Sequence, residues 1–145
     1  MKKGFTIIEL LVVLAVIALL SGLSLTFFGS SSIKARDARR ESDIKEIQKA
    51  LGLYVTNIGT YPVCQTEVQI NGTTDCLSLA LVAERTMPAV PVDPRQGVGG
   101  GGCGTAGAFF YCYQSSSDGY TYTLRYDLEG NSIPGKSAGW QTVNP

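Results

Sequence analysis

The sequence predicts an α+β chain: one long N-terminal helix, apolar in its first half and amphipathic in its second, packed on a small antiparallel sheet. Three observations carry this. Residues 5–28 form an apolar run whose single charge is Glu9. Ile44, Ile47, Leu51, Tyr54 and Ile58 then recur at spacings of three and four, which is one face of a helix. Finally, Tyr120, Tyr122, Leu124 and Tyr126 alternate with Thr121, Thr123, Arg125 and Asp127, the signature of a half-buried strand.

The chain has 145 residues, about one domain's worth, and 12 basic residues balance 12 acidic ones. That balance argues against binding nucleic acid through overall charge. There is no histidine, which removes Ser-His-Asp and Cys-His catalysis, His-ligated zinc and the ordinary near-neutral acid–base group. The charge is unevenly placed. Residues 59–145 hold four basic and seven acidic side chains, whereas Lys34, Arg36, Arg39 and Arg40 follow the apolar run and read as a solvated juxtamembrane collar.

As a helix, the 24 residues from Phe5 to Phe28 would extend roughly 36 Å, enough to cross a hydrocarbon core about 30 Å thick. The bland alternative is a secretory signal cut near Gly29, Ser30, Ser31 and Ser32. Two features oppose it: the run exceeds the usual roughly 7–15 residues, and a carboxylate lies inside its start. Glu9 needs an offset, because an acid well inside a bilayer costs about 2.5–3.5 kcal/mol. A cut between Gly4 and Phe5 would place a new amine one helical turn away, and the helix dipole also favours a carboxylate there. The other reading is that Glu9 accepts the amine of a neighbouring molecule.

The stretch Lys2-Lys3-Gly4-Phe5-Thr6-Ile7-Ile8-Glu9-Leu10 resembles the class III leader and mature start of type IV pilins and type II secretion pseudopilins. The resemblance implies cleavage by a prepilin peptidase after Gly4, N-methylation of Phe5, and a docking role for Glu9 in filament assembly. It also implies the pilin fold. The expected partners are further copies of the chain in a helical homopolymer, the prepilin peptidase, an inner-membrane assembly platform, minor pilins, and membrane lipid before assembly. The expected localisation is a single-pass cytoplasmic membrane protein with an extracytoplasmic head, then a periplasmic or extracellular filament.

Beyond the apolar run the helix is expected to continue to Ile58, about 80 Å in all. Glu41 and Lys45 form an i, i+4 pair, and Asp37, Arg40, Asp43, Glu46 and Lys49 are assigned to the wet side. Gly22, near Ser21 and Ser24, and Gly29 are weak points at which bending or local melting is expected. The pilin family often has a proline in this stretch, and this chain has none. The apolar half must be surrounded by lipid or by the same segment of other copies.

Gly59-Thr60-Tyr61-Pro62 reads as a helix stop, and the family often ends its helix this way. A short helical stretch is expected around Leu77–Glu84. The partner of the alternating strand is Phe109–Gln114, joined through the Asp118-Gly119 turn. Pro91-Val92-Asp93-Pro94 is similar to an element of major pseudopilins, but the chain then runs into a segment with seven glycines between 97 and 107, not the family's calcium loop. Asp127, Glu129 and Asn131, with Asp118, offer oxygen ligands, yet they lack the EF-hand glycine. A turn is the preferred reading, no calcium site is assigned, and no other cofactor is expected.

Cys64, Cys76, Cys103 and Cys112 are an even set suited to disulfides in an exported head. Three pairings are possible; Cys64–Cys76 across the Asn71-Gly72 turn and Cys103–Cys112 are favoured. Their spacing is poor for zinc, and no metal site is assigned. Asn71-Gly72-Thr73 is also a glycosylation sequon, for which the turn is a sufficient explanation. The expected division is a leader at 1–4, a transmembrane and filament-core helix at 5–28, an amphipathic helix at 29–58 and a β-rich head at 59–145. A structural filament subunit without catalysis is the preferred function. The alternatives are a secreted protein released by ordinary signal cleavage, using carboxylates such as Asp93, Asp118 or Asp127, or an anchored binding module that does not polymerise. The acidic head speaks against direct nucleic-acid binding.

Overall fold

The computed structural model describes residues 4–145, with side chains omitted for 23–30. The chain divides into two units, residues 1–33 and 34–145. The leader residues Lys2 and Lys3 lie outside the described part. The element order is helix α1 (Ile7–Ile58), strand β1 (Val68–Gln69), helix α2 (Cys76–Ala83), and strands β2 (Cys112–Ser115), β3 (Tyr122–Leu128) and β4 (Gly139–Val143). The four strands form one antiparallel sheet in the order β1-β2-β3-β4. The fold is α+β.

α1 is assigned as helix without interruption through Gly22, so the local melting expected there is not seen. The Ser21 hydroxyl donates to the Ile17 carbonyl at 2.8 Å, a bond that keeps a short polar side chain compatible with the helix. The helix likewise continues through Gly29, the other expected weak point. The helix stops at Gly59, whose φ of 91° is the left-handed conformation that glycine adopts without penalty, and whose N–H donates to the Val55 carbonyl.

In the second unit, Ile44, Ile47 and Leu51 pack into one core with Tyr111, Tyr113, Tyr122, Leu124, Tyr126 and Leu128 from the sheet side. Tyr54 is partly buried against it, while Ile58, expected on the same stripe, is exposed. The tyrosines bring hydroxyls to the edge of the core, and three find acceptors there. Tyr111 donates to Asp43 at 2.9 Å, Tyr113 to the Pro62 carbonyl at 2.9 Å and Tyr126 to Glu41 at 2.7 Å. α2 is capped by Asp75, which accepts from the Ser78 N–H at 2.8 Å, and it buries Leu77 and Leu81.

The alternation read in β3 has a structural cause on both faces. Tyr122, Leu124, Tyr126 and Leu128 face the helix core. On the other face, a smaller cluster of Ala108, Phe110 and Cys112, flanked by Cys103 and Trp140, covers the sheet. Asp127 belongs to that second face, and it is buried because the glycine-rich segment lies over it: the Gly107 N–H donates to its Oδ2 at 3.2 Å. The β2–β3 hairpin is antiparallel with Ser115 opposite Tyr122, and Gly119 in the connection has φ 71°. Cys64 is bonded to Cys76, and Cys103 to Cys112.

Candidate functional site

The first unit presents the sequence-predicted processing and assembly residues in a simple geometry. Gly4, Phe5 and Thr6 precede the helix and are exposed. Thr6 takes the cap position. Its Oγ1 accepts from the Glu9 N–H at 3.4 Å, while Glu9 Oε2 accepts from the Thr6 N–H and from the Thr6 hydroxyl, each at 2.8 Å. This is a reciprocal capping box, in which the Thr6 N–H is answered by the Glu9 carboxylate and the Glu9 N–H by the Thr6 hydroxyl. Glu9 is therefore bonded within its own chain. The Thr6-x-x-Glu9 spacing is the sequence signal for it.

Every described side chain from Gly4 to Gly22 is exposed. Phe5 is 79 % exposed and Ile7 81 %. Phe5, Ile8, Glu9, Val12 and Val13 line a shallow groove of about 320 Å³, so the one carboxylate sits on an otherwise apolar surface. Among the described residues no helix is long and apolar enough to cross a membrane. The expected span, 5–28, runs into residues 23–28, whose side chains are not described.

The second unit holds a charge cluster that the sequence reading misplaced. Arg40, assigned to the wet side and to the basic collar, is wholly buried. Its guanidinium forks onto Asp93, with Nε to Oδ2 at 2.7 Å and Nη2 to Oδ1 at 3.0 Å. Its Nη1 reaches Asp37 at 2.8 Å and Glu129 at 2.7 Å. Glu129 also takes Arg36 at 2.6 Å and Arg95 at 3.0 Å. Asp37 is buried too and accepts from the Glu129 and Gly130 N–H groups and the Ser132 hydroxyl. Phe109 lies under both Arg40 and Arg95, 4.8 and 4.5 Å from its ring centre. The acidic surplus of residues 59–145 is thus partly consumed by Arg36 and Arg40 of α1. Of the expected collar, Lys34 and Arg39 stay exposed.

The electrostatics follow from these contacts. Arg36, against the opposing effect of burial, and then Arg40 and Arg95, hold the Glu129 carboxyl at about 2. Burial alone would lower the Arg40 guanidinium, but Asp93, Glu129 and Asp37 outweigh it and raise it further. Burial pushes Asp43 up, with the Tyr111 hydroxyl partly offsetting it. Burial likewise pushes Asp127 up, against the Gly107 N–H and the Arg40 charge.

The oxygen ligands considered for calcium do not converge. Glu129 faces three guanidiniums, Asp127 is capped by Gly107, Asn131 Oδ1 accepts from the Ala138 N–H at 2.6 Å, and Asp118 accepts from Ser116 and from the Tyr120 N–H. Glu67, Cys103 and Cys112 do bring an oxygen and two sulfurs within 4.8 Å of one another. The sulfurs, however, are bonded to each other and Glu67 pairs with Arg125 at 3.0 Å.

With this geometry in view, the comparisons with known proteins bear on the first unit alone. Residues 1–25 match the prokaryotic N-terminal methylation motif. The match covers Gly4, Phe5, Thr6 and Glu9, and it is consistent with the type IV pilin and pseudopilin family. Neither the curated proteins nor the solved structures give a match. The methylation motif points to a pilin-like structural subunit that is a substrate of a prepilin peptidase.

Proposed function

We propose that this chain is a structural subunit of a type IV pilus or a type II secretion pseudopilus, polymerised through its N-terminal helix and without catalysis of its own. The observation that carries the reading is the start of the chain. An exposed, non-helical Gly4–Phe5 bond stands immediately before a capped apolar helix, within the segment that matches the methylation motif. A peptidase needs such an open bond. Cleavage there leaves Phe5 as the terminus to be methylated, and Thr6 and Glu9 remain to close the first turn.

Residues 1–4 are then the leader, 5–28 the membrane-spanning and filament-core segment, 29–58 the amphipathic half of the helix and 59–145 the head. Before assembly the apolar side chains are covered by lipid, and afterwards by the same segment of other copies, because leaving so many of them in water is prohibitive. Glu9 in the capping box is already bonded to its own Thr6, which lessens the cost of holding a carboxylate near the apolar phase. Assembly then exchanges one of those bonds for the amine of a neighbouring subunit. The assembly platform and minor pilins are the remaining partners, and the head lies outside the cytoplasm, where its disulfides persist.

Glu9→Ala tests the assembly role. Processing of the variant should continue while filament yield falls by at least about tenfold, the effect of 1.4 kcal/mol per contact. Unchanged yield would remove Glu9 from docking.

A further inference from the structure

The second unit carries an apolar hole and an aromatic knob that its own fold leaves unfilled. The hole is a groove of about 530 Å³ on the outer side of α2, lined by Leu79, Val82, Ala83, Pro88 and Ala89 together with Gly72 and Thr73. Leu79 is 56 % exposed and Val82 42 %. These are the outward positions of a helix whose inward Leu77 and Leu81 are wholly buried, so α2 is apolar on both sides and only one side is covered.

The residue that ends the turn after α2 is unusual. Arg85 adopts φ 56°, and its N–H and that of Thr86 close the helix onto the Val82 and Leu81 carbonyls at 3.1 Å each. This is a Schellman stop, at which glycine is the usual residue. An arginine has been placed where the backbone would be easier without a side chain. Arg85 is exposed, makes no ion pair among the described residues, and lies in the short connection whose two ends, Ala83 and Pro88, line the groove.

The knob is the β2–β3 turn. Tyr120 is 68 % exposed at its tip. Asp118 lies beside it: Oδ1 accepts from the Tyr120 N–H and from the Ser116 hydroxyl, and among the described residues Oδ2 is left for a partner. An exposed aromatic ring next to a carboxylate is thus complementary to an apolar groove next to a free guanidinium.

Building on the filament reading above, we infer that the turn at Asp118–Tyr120 of one copy docks in the α2 groove of the next, Tyr120 filling the apolar hole and Asp118 facing Arg85. The contact is heterologous, with the knob on one copy and the hole on another, so repetition propagates an array instead of closing a pair. It gives the heads a lateral contact of their own, separate from the N-terminal helices. An aromatic anchor in a pocket with a charge pair at the rim is the arrangement in which a small contact holds most strongly.

The test uses filaments sheared from cells making the full chain, with Tyr120→p-benzoylphenylalanine as a photo-cross-linker. Illumination should give a dimer of the chain, with the adduct mapped to residues 79–89 of the second copy. Val82→Asp in the same chain should lower the adduct by at least about tenfold. Arg85→Gly relaxes the backbone while deleting the charge, and should lower it by up to about fivefold, the range of an exposed pair. Thermal unfolding of each variant, expected to match the parent for the exposed Val82→Asp and to match or exceed it for Arg85→Gly, shows that the head itself is intact. Filaments whose adduct maps elsewhere on the head or onto another protein, or an adduct indifferent to Val82→Asp, overturn the contact while leaving the polymer reading in place. A parent chain that makes no filament overturns both.

Discussion

Replacing Arg40 by alanine is the perturbation that most sharply tests how the long helix is fastened to the sheet. The substitution removes a wholly buried guanidinium that makes two bonds to Asp93 and one each to Asp37 and Glu129. The three acids are not equally harmed. Glu129 keeps Arg36 and Arg95, and Asp37 keeps two backbone N–H groups and the Ser132 hydroxyl. Among the described residues Asp93 keeps only the N–H of Arg95, at 2.7 Å, and becomes the uncompensated buried charge. Breaking one such buried pair costs about 3–5 kcal/mol, a large fraction of the roughly 5–15 kcal/mol that stabilises a domain. At about 4 °C or more per kcal/mol, the midpoint should fall by at least about 12 °C. The assay is circular-dichroism melting of the full chain in detergent micelles at neutral pH. The double variant Arg40→Met with Asp93→Asn should lose less than the two single losses combined, because the orphaned charge is gone. A fall of less than about 3 °C for Arg40→Ala would refute the view that this cluster fastens the helix to the head.

Acid should loosen the same cluster from the other side. Glu129 is depressed from 4.5 to about 2 by its three guanidiniums, so its contribution is complete above about pH 4.5 and is lost as pH falls toward 2. Glu129→Gln should flatten that part of the melting profile. Asp127 has the opposite sign: burial raises it, so ionised Asp127 weakens the fold as pH rises past its ordinary 3.8 value. Asp127→Asn retains an oxygen acceptor for Gly107 and should raise the midpoint at pH 7, which melting at pH 4 and pH 7 will check. Replacing Cys103 and Cys112 by serine opens a loop of sequence separation 9. By chain entropy that costs about 2.7 kcal/mol, read as a lower denaturant midpoint with a steeper slope, because the denatured chain without the cross-link is more expanded.

Periodicity made much of this architecture legible. The α1 stripe, the Gly59 stop and the β2–β3 hairpin all follow from short-range patterns whose physical cause is local. β1 and β4 were not legible. β1 is two residues long, and β4 comes after a Gly-, Ser- and Pro-rich stretch and is held by pairing with β3, so neither announces itself by alternation. The charge cluster was misread because charged residues on an amphipathic helix default to solvent. The contrary signal was nevertheless present, since Arg40, Ile44, Ile47 and Leu51 are spaced by four, three and four and so share one face. What the sequence could not supply was Asp93, 53 residues away, as the partner that makes burial of Arg40 tolerable. At the N-terminus the apolar run is plain, and the Thr6-x-x-Glu9 spacing is the local signal for the cap.

The central claim is that the chain is cut after Gly4 and then polymerised. It is tested most directly by intact-mass analysis of the protein recovered from threads sheared off cells that make it. The predicted result is a chain beginning at Phe5, lighter by Met1–Gly4 and heavier by one methyl group. A chain beginning near Ser31, or the absence of the protein from any thread, would contradict the account.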